Sequence, residues 1–98
     1  MLGDNVNKLI CDAIAARLVI TFVYEGKLRS AEPHLLGYST RGILTLSAWQ
    51  LSGGSAEDWR DFHCTKISNI TVTTQGFSAP RRGYNPNGAS FPSVICRI

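Results

Sequence analysis

No apolar run in the chain approaches the ~18 residues that a helix needs to cross a bilayer, which excludes a helical membrane span. There is no C-x-x-C pair, and the cysteines, Cys11, Cys64 and Cys96, are odd in number and far apart. That spacing suits neither a disulfide framework nor a zinc knuckle, so the three read as free thiols, buried or half-buried. A phosphate-binding glycine loop is missing too, because Gly53-Gly54 lacks a following Lys-Ser or Lys-Thr. Met1 to Lys8 shows no basic stretch leading into an apolar one, so no signal peptide is expected and a cytoplasmic setting is the default. Beyond Gly76 there are no acids. The net charge of +3 rests on Arg81, Arg82 and Arg97, because seven basic and seven acidic residues balance through Gly76.

What is present describes one small domain. A chain of 98 residues buries only about two-thirds of its unfolded surface. Asp4 or Asn5 can cap a helix running from Asn5 to about Arg17. Val6, Leu9, Ile10, Ala13 and Ile14 fall on one stripe of it, and Arg17 suits its last turn. Leu18 to Tyr24 is dense in β-branched and aromatic residues and reads as a strand. Glu25-Gly26-Lys27 makes a hairpin turn into a second strand, about Leu28 to Tyr38, which Pro33 bends or places at an edge. The stretch from Gly42 to Leu51 is the central strand. Leu44, Leu46 and Ala48 point to one face, and Thr45, Ser47 and Trp49 to the other. A flexible Ser52 to Ser55 loop, a strand from Glu57 to Cys64, a short turn and a strand around Ile70 and Val72 follow.

One helix and five short strands predict a strongly bent antiparallel sheet, closed into a small barrel to remove its edges. The domain proper is 1–76. Residues 77–98 form a Pro/Gly-rich basic extension, irregular from Phe77 to Pro92. Val94 to Ile98 is a candidate last strand, pairing within the chain or with a neighbour.

Catalytic constellations are absent. His63 and Cys64 point to opposite faces of a strand, as do Asp58 and Asp61. His34, His63 and Cys64 are the nearest approach to a metal set, and neither a metal nor a cofactor is expected. Anion binding has more behind it. Arg29, Arg60, His63 and Lys66 sit on strands or turns around the central strand, with the Thr45 and Ser47 hydroxyls on its non-core face. Arginine forks onto phosphate and hydroxyls add neutral hydrogen bonds. Trp49, Trp59 and Tyr24 offer rings for stacking a base. Arg81 and Arg82 are candidate tail contacts. Strand parity sets Arg60 and His63 facing opposite ways unless a bulge intervenes.

From Leu9 to Pro80 the chain resembles the WYL domain family. Ile10-x-x-Ala13-Ile14, Ile20-x-Phe22-x-Tyr24, Arg29 and Pro33 look like the family's helix, first strand and R-x-x-x-P segment. Leu44-Thr45-Leu46 stands at the naming strand, with only the leucine kept. Arg60 to Ile67, then Phe77 and Pro80, resemble its R-x-F-R-x-D-R-I run and closing F-x-x-P. His63, Thr65 and Lys66 stand in place of Arg, Asp and Arg. The resemblance implies an Sm-like, SH3-type five-stranded barrel with an N-terminal helix. It implies a regulatory sensor of nucleotides or single-stranded nucleic acid, of the kind used in transcription control and phage defence. Such a module would act through a partner chain carrying a DNA-binding domain, or through a homo-oligomer. The alternative is a self-associating interaction module without a small ligand.

Overall fold

The computed structural model describes residues 2–54, 56–85 and 90–98. Ser55, Pro86 and Gly88, read above as loop and irregular tail, and the side chain of Asp4, a candidate cap, lie outside the described residues. Helix α1 spans Leu2–Ala16. It is followed by strands β1 (Leu18–Tyr24), β2 (Lys27–Tyr38), β3 (Leu44–Ser52) and β4 (Asp58–His63). A 3-10 turn over Cys64–Lys66 leads to β5 (Ile67–Gly76), and β6 (Ser93–Arg97) ends the series.

The helix starts earlier than the capping residues imply, so Asp4 and Asn5 lie inside its first turn. Ile10, Ala13 and Ile14 are buried as the stripe requires, but Leu9 is exposed. Arg17 is not in the last turn. It follows the helix in the left-handed conformation, φ +59°, and donates its amide to the Ile14 carbonyl. The first hairpin turns on two residues of positive φ, Glu25 and Gly26, as the tightest turns between twisted strands require.

Every pairing is antiparallel, in the order β4-β3-β2-β1-β5, with β6 also on β2. This corrects the expected closed five-stranded barrel: the sheet has six strands and is not closed. The reason lies in β2. Residues 27–31 pair with β1, and residues 35–38 pair with β6 from the tail, while β3 runs along the other side. The extension therefore supplies a strand to the sheet, and β6 pairs within its own chain. Pro33 sits in the gap between the β1 and β6 ladders, where its missing N–H costs neither a bond. Gly37 lets β6 approach, because a β-carbon there would lie 2.6 Å from the Ser93 carbonyl oxygen.

The sheet has two unlike faces. Against α1 lie Ile20, Phe22, Leu36, Leu46, Ala48 and Phe62, all buried, with Phe62 edge-on to the rings of Phe22 and Tyr24. Cys11 of α1 and Cys96 of β6 form a disulfide, which corrects the free-thiol expectation for both; only Cys64 is free. Their separation of 85 residues hid the pairing, because register alone brings them together. Burial pushes the Cys64 thiol up to about 11, so it is a poor nucleophile at neutral pH. The tail segment from Phe77 to Asn85 covers part of the other face.

Candidate functional site

On the face away from α1, β3 presents Thr45, Ser47 and Trp49, and β4 presents His63, Asp61 and Trp59 directly opposite them. Alternation makes this inevitable once Leu46, Ala48 and Phe62 are committed to the core. The tail and the β2–β3 connection rise on either side, leaving two adjoining hollows that share Asp61, Ser90 and Phe91. The smaller, about 240 Å³, is walled by Trp59, Tyr84 and Ser47. The larger, about 460 Å³, is walled by Arg41, Thr40, Thr45 and His63. Together they are of the size that small ligands occupy.

The walls are held locally. The Thr45 hydroxyl donates to the Ile43 carbonyl at 2.9 Å, so its proton is already engaged and its oxygen remains an acceptor. Ser39 Oγ accepts the amides of Arg41 and Ile43 and shapes the rim of the larger hollow. The His63 amide donates to the Tyr24 hydroxyl at 3.1 Å, pinning β4 to the core side. Trp59 donates its indole N–H to the Arg82 carbonyl at 2.9 Å and stacks on Tyr84 with 6.2 Å between centroids.

Of the residues singled out from the sequence, Thr45, Ser47 and His63 meet in this groove. Arg29, Arg60 and Lys66 do not join them. Arg29 lies on the core side, its guanidinium bonded to Gln50 Oε1 at 2.9 Å and to the Tyr24 carbonyl, above the Tyr24 and Phe62 rings. It fastens the ends of β2 and β3. Arg60 registers opposite Ala48 and shares the α1 side with Phe62, exposed at its margin. Lys66 is exposed on the 3-10 turn. The expected convergence of three cations beside Thr45 and Ser47 is therefore replaced by a groove lined by Asp61, Arg41 and His63. Arg81 is engaged with a carboxylate: its guanidinium forks onto Glu32 at 2.6 and 2.9 Å and lies 5.1 Å from the Trp49 ring centroid. That hydrogen bond raises the Arg81 pKa further. Arg82 is exposed and contributes its carbonyl to Trp59.

Asp61 and Arg41 were missed as site residues. Asp61 was available from parity, since it is two residues before His63 and opposite Ser47. Arg41 had no periodic signal, because it sits in the β2–β3 connection. Among the described residues no group of His, Cys, Asp and Glu is placed to hold a metal. Among the described residues no helix is long and apolar enough to cross a membrane. No family model, curated protein or solved structure matches this chain.

Proposed function

We propose that the chain is a regulatory ligand-binding module, resembling WYL sensors, which takes a nucleotide or a single-stranded nucleic acid in the groove over β3 and β4. The observation that carries this reading is the groove's polarity. Rings of Trp59 and Tyr84 stand at one end, and Arg41, His63 and hydroxyls at the other, with Asp61 between. A base fits the aromatic end, where stacking is worth about 1–3 kcal/mol. Sugar hydroxyls or base N–H groups suit Asp61 and Ser47 as hydrogen-bond partners. A phosphate suits Arg41, with His63 as a secondary donor.

An Sm-like, SH3-type ancestry is part of the same proposal, supported by the long β2 strand that changes partner midway. So is action through an oligomer or a partner chain, because Tyr38 and Ile95 are exposed where β2 meets β6. Disulfides are rare in the cytosol, so a cytoplasmic role requires the Cys11–Cys96 bond to be protected there or dispensable.

Calorimetric titration with adenosine monophosphate and a short oligothymidylate tests the groove. Arg41→Ala is expected to weaken binding about tenfold or more, the cost of one charge-assisted contact. Arg60→Ala, on the opposite side of the sheet, is expected to leave it unchanged. The reverse pattern would move the site to the α1 side and end this assignment.

A further inference from the structure

No ladder holds the segment from Phe77 to Asn85 against the sheet. Its start is held by the Phe77 amide, which donates to the Arg17 carbonyl at 3.0 Å, and the Tyr84 hydroxyl donates to the Ile98 carbonyl at 3.3 Å. Between them, Arg81 and Arg82 attach through a small polar cluster that includes His34, Glu32 and Trp59. This histidine is the extra residue of a bulge, since β2 shifts register against β3 between Pro33 and Leu35. It is fully buried, and its own carbonyl accepts the Ile98 amide, so its backbone is fixed from the β6 side. The ring is enclosed by Trp59, Tyr84 and Phe77, with centroids at 4.7, 5.3 and 5.4 Å.

The two ring nitrogens have partners of opposite kind. Nδ1 lies 2.8 Å from the Glu32 carbonyl, which only accepts, so Nδ1 carries the proton. Nε2 lies 3.1 Å from the Arg81 amide, which only donates, so Nε2 presents its lone pair. Only the neutral ring satisfies both. A proton on Nε2 would set N–H against N–H at a point where the tail is attached.

The charged neighbours divide unequally. From β2, the Glu32 carboxylate favours the imidazolium, but it is already forked by Arg81 from the tail. The Arg81 guanidinium and Arg17, beyond α1, oppose it. Tyr84 contributes a phenol whose pKa is raised by burial, so it stays neutral, and β4 contributes only the Trp59 ring to the contact.

We propose that His34 is a proton-operated latch: protonation breaks its bond to Arg81 and weakens the hold on the segment that forms one wall of the groove through Gly83 and Tyr84, so that it opens more often. The consequence for ligand occupancy rests on the groove reading above, whereas the latch itself acts in the empty protein. Burial lowers the His34 pKa from the ordinary 6.5 in the closed form. The open form therefore binds the proton more tightly. The advantage of the closed form is full above about pH 6.5 and shrinks as pH falls, by up to about tenfold per pH unit, until the lowered closed-form value is reached.

The test is a pH series on the ligand-free protein by NMR, from about pH 7.5 to about pH 5, across the range where free imidazole titrates. Protection factors of the Arg81 amide and Trp59 indole N–H, corrected for intrinsic exchange, are expected to fall together below about pH 6.5. The His34 ring signals are expected to titrate with a midpoint below that of a free imidazole, at the acid end of this fall. In His34→Gln, whose carboxamide oxygen can accept the Arg81 amide without titrating, protection is expected to stay flat. A flat wild-type series, a fall that begins well above about pH 6.5, or an equal fall in His34→Gln overturns the latch. The first two outcomes need no variant, so they decide the matter even if His34→Gln does not fold. Adenosine monophosphate affinity is then expected to fall between the same pH limits in wild type only. Absence of binding at every pH would refute the groove reading, while the exchange data still decide the latch.

Discussion

The two faces of the sheet are built on different physics. Against α1, Phe22, Leu36, Leu46 and Phe62 are held by burial, which is non-directional and indifferent to protonation. On the opposite face Glu32, His34, Trp59 and Arg81 are held by hydrogen bonds of fixed donor and acceptor sense, with the Trp59 ring half-buried over the buried His34. The first face tolerates a change of hydrophobe but not a void. The second tolerates neither a lost partner nor a wrong proton. A ligand-binding groove belongs on the second, since polar groups positioned by directional bonds can also turn to a ligand.

The comparison can be broken by mutation. Phe62→Ala should have the largest effect, about 4 kcal/mol of stability lost in a urea melt, because it empties the space between the Phe22 and Tyr24 rings. The loss should not vary between pH 5 and 8; a strong pH dependence would mean that the faces are not independent. Next, Arg81→Ala should cost about 3 kcal/mol, since it strands the Glu32 carboxylate, only 4% exposed, without its cation. A cost below that of an ordinary surface change would place this pair outside the structural core of the second face. Smallest is Lys66→Ala, expected within about 0.5 kcal/mol by the same melt, as for other exposed positions. A larger loss would show that the 3-10 turn carries weight not visible in its packing.

The first face was legible in the sequence because burial imposes a period. Leu18 to Tyr24 matches β1 residue for residue, and the alternation from Leu44 to Trp49 assigned each side chain of β3 to its face. The second face was only half legible. Thr45, Ser47 and His63 follow from parity, but their neighbours depend on which strands pair and in what register. Arg29 looked like a free cation, and it is spent on Gln50, a residue 21 positions away. His34 looked like a ladder residue, and a one-residue bulge turned it into part of the tail's attachment. The tail has no period at all, because tertiary contacts, not local propensity, place it. Closure into a barrel failed as an expectation for a related reason: nothing local announces that Leu35 will pair with Arg97.

The bond between Cys11 and Cys96 makes most of the polypeptide a covalent ring. A peptide bond cut inside that ring, at the exposed Gly54 for instance, yields a nicked molecule and not two pieces. Under oxidising conditions the halves stay tethered and keep their mass, and only a reductant lets them part.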